Sequence, residues 1–418
     1  MIDPLGLGAG KEHPGDPGPR RSLAEELEDG PLRRELGVPA PAPPPAPEPA
    51  AFEARLAFDG QGAEYFRIWV VHTALTLLTL GVYSAWAKVR KARWFAQHTL
   101  LMGDRFDYHG QPWRVLIGRV LAVGLLLLWT WSFDVADWLG WLVLAAMLAV
   151  GPLLFAGAQR FRLANTSWRG LRFGFDAPPT QVYLVCVPLL MLWVYDRVLQ
   201  ALGLPTSWLV AASALVLLAL PMAHARLKRM QHSHARFGAQ VFSFDPATGA
   251  FYRLYAKAAG LFIVAGTGLT ALYSLGLAVV FRLIPRADAP PAGIPVMAYV
   301  LPTVVAMLVL WLVVWPFFAA RAQQLVWSRT RWGTVRFRGE MQSWALWKLT
   351  LAQTLLTLLT AGLYWPFAAV KIARYRVESL VVQADEPIRG IVATVPPQGA
   401  RGAIGDAAAD AFGLDLGW

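Results

Sequence analysis

Six stretches of this chain run for about twenty residues with almost no charge, and a helix through each is long enough to cross a bilayer. They lie at approximately 115–133, 138–158, 181–199, 205–223, 258–281 and 296–320, and none holds more than two charged residues. A helix rises ~1.5 Å per residue, against a hydrocarbon core ~30 Å thick. Composition points the same way: of 418 residues, 56% are hydrophobic and 16% charged, and 19 are Trp. A soluble globular fold is excluded on these grounds.

The net charge of +11 would suit a nucleic-acid partner. The basic residues, however, sit in short connections between apolar runs, where they orient spans and form no single patch. No nucleic acid is expected. The connections alternate in character. Residues 134–137 (DVAD) are acidic, 200–204 are few, and 282–295 are rich in proline. The others are basic: 159–180 carries Arg160, Arg162, Arg169 and Arg172, and 321–338 carries Arg321, Arg329, Arg331, Arg336 and Arg338. Residues 224–257 carry Arg226, Lys228, Arg229, Arg236, Arg253 and Lys257. The positive-inside rule places the basic connections in the cytoplasm, with Trp129, Trp131, Trp138 and Trp141 bracketing the acidic turn at the opposite interface.

Each basic connection ends in a short alternating aromatic segment: DRFDYHG (104–110), LRFGFDA (171–177), QVFSFDP (240–246) and VRFRGE (335–340). RLAFDG (55–60) precedes the first apolar run. Period-two alternation closed by Gly or Pro reads as a strand. The repeating unit is therefore strand, helix in, turn, helix out, basic exit. The central units measure 67, 69 and 95 residues between Phe106, Phe173, Phe242 and Phe337, whereas the first, from Phe58 to Phe106, measures 48.

The stretch LLTLGVYSAWAKVRKARW (Leu77 to Trp94) returns 281 residues later as LLTAGLYWPFAAVKIARY (Leu358 to Tyr375), identical at nine of eighteen positions. It falls where the central units have their outer turn, in units too short for two full spans. We read both copies as re-entrant hairpins, breaking at Gly81 and Gly362. Eight ordinary spans would leave one terminal basic cluster on the wrong face.

The pattern AFDGQGAEYFRIW, then LTLLTLGVYSAWAKVRKARWF, then DRFDYHG resembles the YjgN family of bacterial inner-membrane proteins, a domain of unknown function. The likeness covers roughly residues 53 to 391, and the terminal GDAAADAFGLDLGW is similar to family tails. It implies a multi-spanning inner-membrane protein without an established activity. The resemblance leads us to expect Asn where this chain has His72, which weakens any claim for the histidine itself.

The expected architecture is an all-α polytopic membrane protein of six transmembrane helices and two re-entrant hairpins in pseudo-repeats, with short cytoplasmic strands. Residues 1–52 form a proline-rich disordered tail, 53–391 the membrane domain and 392–418 a cytoplasmic tail. Paired half-helices in corresponding positions point to a transport site. Thr76, Thr79, Gly81 and Tyr83, with Thr357, Thr360, Gly362 and Tyr364, are the residues expected to line a path for a small solute. Packing of two helices by the same small residues is the competing reading. His72 lies deep in the first run, and its counterpart Gln353 cannot titrate, so a shared hydrogen-bonding role outweighs a proton relay. Glu64 suits a helix N-terminus. Arg90, Lys91, Arg93, Arg114 and Arg119 form collars suited to anionic lipid.

His224, His232 and His234 stand among cations without a neighbouring carboxylate, a poor metal set. The lone Cys186 permits neither an intrachain disulfide nor a Cys-based metal site. The first residues lack the apolar core of a signal peptide. No catalytic motif is legible, and neither cofactor nor metal is expected. A transporter or channel is the leading expectation, a lipid-interacting or scaffolding protein the alternative, and a homo-oligomer is compatible with either.

Overall fold

In the computed structural model of the protein, residues 52–283 and 297–385 are described. The two tails expected at 1–52 and 392–418 lie outside them, Phe52 apart. The order strand, helix, helix, strand occurs five times. The first set is β1 (Phe52–Phe58), α1 (Gly62–Leu78), α2 (Ser84–Gln97) and β2 (Thr99–Leu101). The second is β3 (Asp104–Tyr108), α3 (Pro112–Val135), α4 (Asp137–Ala164) and β4 (Thr166–Trp168). The third is β5 (Leu171–Phe175), α5 (Pro179–Ala201), α6 (Thr206–Ser233) and β6 (Ala235–Phe237). The fourth is β7 (Gln240–Phe244), α7 (Thr248–Leu283), α8 (Met297–Ser328) and β8 (Thr330–Trp332). The last is β9 (Val335–Gly339), α9 (Ser343–Leu359), α10 (Trp365–Glu378) and β10 (Leu380–Ala384).

Helices α3 to α8 are long and apolar enough to cross a membrane, and each contains one of the six apolar runs to within a residue. Two expected boundaries differ. The acidic turn at 134–137 shrinks to Ala136 alone, extended at φ −166° and ψ 140°. Asp137 starts the next helix, where its carboxylate meets the positive dipole end, and the Phe133 ring sits over Gly140, leaving no room for a side chain there. The basic connections are also shorter than expected. No proline or glycine follows Pro221 until Gly238, so α6 runs on to Ser233 and carries His224 and Lys228 on its last turns.

The strands pair antiparallel with their neighbours. Two-residue turns join four pairs into hairpins, with positive φ at Met102 and Gly103, at Arg169 and Gly170, at Gly238 and at Gly333. Such turns match the twist of the flanking strands. Pairing continues between hairpins, and β1 pairs with both β2 and β10. Asp59 pairs with Arg105 at 2.5 Å between the first two sets, Asp104 with Arg169 of the β4–β5 turn at 3.1 Å, and within the third and fourth sets Asp176 pairs with Arg236 and Asp245 with Arg331, the latter at 2.9 Å. Inward-facing Trp168, Phe237, Trp332 and Val335 pack with Phe106, Phe173, Phe242 and Phe337.

The first and last helical pairs match closely. α1 and α9 each have 17 residues, α2 and α10 each have 14, or ~26 and ~21 Å. Each is shorter than the ~30 Å hydrocarbon thickness. The turns between them have the same backbone, with φ of 50° and 93° at Leu80 and Gly81 and of 49° and 92° at Ala361 and Gly362. The motif also satisfies its own amides. Those of Thr79, Leu80, Gly81, Val82 and Ser84 bond to carbonyls of Leu75, Leu77, Thr76, Thr79 and Gly81, and Tyr83 donates to Thr79 Oγ1 at 3.0 Å. In the second copy Thr360, Ala361, Gly362, Leu363 and Trp365 do likewise, and Tyr364 donates to Thr360 Oγ1 at 3.0 Å.

The hydroxyls therefore hold the turn together. Thr79→Val strands the Tyr83 amide, at a cost of ~1–3 kcal/mol. Thr76→Val removes only a donation to the His72 carbonyl, which sits within a helix. Thermal melting in detergent should place Thr79→Val well below Thr76→Val. Equal midpoints would mean that the Tyr83 amide has another partner.

Candidate functional site

Between α6, α8, α9 and α10 lies a cavity of about 380 Å³. Its walls include Lys228 and His224 from α6, Trp311 and Trp315 from α8, Gln353 and Thr357 from α9, and Trp365 and Arg376 from α10. Clefts of roughly 300–1,000 Å³ with a few convergent polar groups are the usual shape of small-molecule sites. Two cations line this one and, among the described residues, no carboxylate does.

The polar groups are fixed from behind. His224 Nδ1 lies 3.2 Å from the Tyr255 hydroxyl, and its ring stacks on Phe318 at 6.1 Å. Arg376 Nε donates to Gln323 Oε1 at 3.2 Å, and Gln323 Nε2 donates to the Arg376 carbonyl at 3.0 Å, clasping α8 to α10. Gln324 Nε2 donates to the Met341 carbonyl at 2.6 Å, holding α8 against the segment that leads into α9. Lys228 is 5% exposed and Gln353 5% exposed. Two buried atoms there have no hydrogen-bond partner, Gln353 Oε1 and His224 Nε2. Buried polar atoms are nearly always paired, because an orphan costs ~1–3 kcal/mol.

The residues singled out from the sequence divide into three groups. Gln353 and Thr357 line the cavity, joined by Thr350 and Thr354, which sequence reasoning did not mark. Thr79, Gly81, Thr360 and Gly362 sit at the two tips. Nothing approaches within 4 Å of the position a Cβ would take at Gly81 or Gly362, and Leu80 is 96% exposed. Tyr83 and Tyr364 immediately precede the second helix of each pair, Tyr83 stacked on His72 at 5.5 Å and Tyr364 accepting from Lys371 Nζ at 2.9 Å. His72 does not line the cavity, yet its Nδ1 is buried without a partner at the position matching Gln353. Thr76 Oγ1 and Thr357 Oγ1 both bond back one turn, to His72 and Gln353 carbonyls at 2.6 and 2.7 Å.

The collar residues also separate. Arg90, Lys91 and Arg114 are exposed. Arg93 donates to the Tyr108 carbonyl at 3.1 Å, and Arg119 bonds Ser84 Oγ. Glu64 pairs with His98 at 3.4 Å across the first helical pair. The three histidines are dispersed: His232 Nδ1 lies 3.0 Å from Thr330 Oγ1, and His234 Nδ1 3.1 Å from the Met230 carbonyl.

Lys228 and His224 are the residues the sequence hid. They are written among the Arg and Lys of a basic connection, and only the uninterrupted helix that carries them one turn apart brings them to the cavity wall. The run from Pro221 to Gly238 without a breaker was the available signal.

Residues 53–411 match the profile of a family described as bacterial protein of unknown function (DUF898). An inner membrane protein YjgN from Salmonella typhimurium (strain LT2) is 26% identical over 157 residues, 36% of this chain and 39% of that protein. An inner membrane protein YjgN from Escherichia coli O157:H7 is 28% identical over 160 residues, 38% of each chain. The matched region thus spans about two fifths of the length of these relatives. No solved structure matches the chain.

A wall with an unpaired acceptor is better packed by an apolar residue of similar size. Gln353→Leu should leave the melting temperature unchanged or higher, while Leu346→Ala, which truncates a buried wall residue, should cost ~2–5 kcal/mol. A loss for Gln353→Leu as large as that for Leu346→Ala would show that the amide serves the fold.

Proposed function

The chain belongs to the DUF898 family of bacterial proteins, and we propose that it is a multi-pass inner-membrane carrier that takes a small solute into the cavity between α6, α8, α9 and α10. One observation carries this reading: a cavity walled by a buried lysine, with two polar atoms left unpaired in its lining. The inner membrane is supported by relatives that are inner membrane proteins and by six helices long and apolar enough to cross a bilayer.

In this reading α3 to α8 are full spans, and α1–α2 and α9–α10 are re-entrant hairpins within five pseudo-repeats. The pairing of Phe58 with Thr99 and of Gly339 with Leu380 supports it, because each short hairpin then leaves from and returns to one strand layer. Uncharged, exposed tips that bond their own amides suit hydrocarbon. The basic residues near the strands support a cytoplasmic side for that layer and for both ends of the membrane domain. The exposure of both tips moves the path away from Gly81 and Gly362, to the cavity beside α9.

Single cysteines in a Cys186→Ala background test both parts. Ala63→Cys and Asp385→Cys should react with a membrane-impermeant maleimide only after permeabilisation, and labelling of either in intact cells would make that hairpin an ordinary span. Thr354→Cys, on the cavity wall, should react with a small water-soluble thiol reagent from at least one face of the membrane. Reaction with a hydrophobic maleimide alone would replace the carrier by a lipid-interacting protein. Protection from every reagent would remove the site.

A further inference from the structure

The cavity is graded from end to end. The helices that form it run between the strand layer and the short-hairpin tip, and its lining follows α9 from Leu346 to Leu358, a rise of ~18 Å. Lys228, Gln323 and Arg376 lie toward the strand layer, near the C-terminal ends of α6, α8 and α10. Trp311, Leu358 and Trp365 lie toward the tip. The polar end is the more enclosed, with Lys228 and Leu346 buried and Gln323 and Arg376 half-buried, whereas Leu358 is 57% exposed and Trp365 50% exposed at the apolar end. His224 and Gln353, which carry the unpaired atoms, line the cavity alongside them.

From this grading we propose that the cavity binds a single-chain anionic amphiphile, a long-chain carboxylate, with its head between Lys228 and Arg376 and its tail leaving past Leu358 and Trp365. The proposal rests on the carrier reading of the same cavity and adds the class of its solute. Two cations and, among the described residues, no carboxylate line the cavity, which favours an oxyanion head over a cationic one. His224 Nε2, if it carries the ring proton, donates to an oxygen of that head, which removes one of the two orphans. An aromatic wall partly open at bilayer depth accommodates an acyl tail that continues into the surrounding lipid. A cavity of about 380 Å³, near the lower end of small-molecule sites, holds one chain and excludes a second.

Native mass spectrometry of the full chain, purified in neutral detergent and titrated with palmitate, tests this. We expect one palmitate per chain, at least tenfold weaker binding of methyl palmitate, and no binding of phosphatidylglycerol in its place. Lys228→Gln should weaken palmitate at least tenfold, and the ester comparison on the unaltered protein holds even where that variant does not fold. Alkylation of Thr354→Cys should abolish palmitate binding. Equal affinity for acid and ester overturns the oxyanion head, and displacement of palmitate by phosphatidylglycerol overturns the single chain. Binding that survives alkylation places the ligand elsewhere and overturns the proposal. Absence of palmitate binding while Thr354→Cys still reacts with the water-soluble reagent refutes this ligand class alone. Absence of both refutes the carrier reading as well.

Discussion

Backbone amides that enter hydrocarbon must find their partners within the protein, since lipid offers none. That constraint governs both scales of the structure. Across α3 to α8 it is met by uninterrupted helix. Where the two short helical pairs turn, the LLT-x-G-x-Y motif bonds six amides inward, five to carbonyls and one to a threonine hydroxyl in each copy. The glycine takes the left-handed conformation that closes the turn, which any side chain would strain by ~1–2 kcal/mol. The recurrence of the motif thus reflects a local solution that two separate hairpins need.

A second constraint acts where polar groups are buried on purpose. Burying an amine is costly unless the surroundings supply hydrogen bonds or an opposing charge. Lys228 is buried in the wall of a cavity whose lining leaves Gln353 Oε1 and His224 Nε2 unpaired. Among the described residues, buried atoms outside the cavity are also unpaired, His72 Nδ1 and Ser343 Oγ among them. Arg376 and Gln323 bond each other reciprocally, and four carboxylate–arginine pairs lie at the strands and the turns beside them. In the carrier reading, the two unpaired atoms in this lining are left for a bound solute.

The hairpins illustrate how local signals translate unevenly. The strand segments with alternating aromatics were legible because period two stands out against the helical runs. Their partners, such as Thr166–Trp168 and Thr330–Trp332, are three residues long, too short for alternation to register. The Met102–Gly103 and Arg169–Gly170 turns announce the hairpins better than the strands do, through the positive φ they require. Helix ends in basic stretches were misplaced for a related reason. Arg, Lys and His are good or neutral helix formers, and nothing in charge alone stops a helix.

Composition and pattern in this sequence dictated the six long apolar helices, the duplicated turn with its glycine and threonine, and the segregation of basic residues to one set of connections, because each depends on neighbours within a few positions. The pairing of Thr76 with Thr357, or of His72 with Gln353, was visible as a spacing of 281 residues. Which copy borders a cavity was not. That depends on α6 and α8 packing beside α9 and α10, so that Lys228, written 125 residues before Gln353, shares a wall with it. Only the tertiary structure decides such a meeting, since burial and the pairing of polar atoms are properties of the assembled helices.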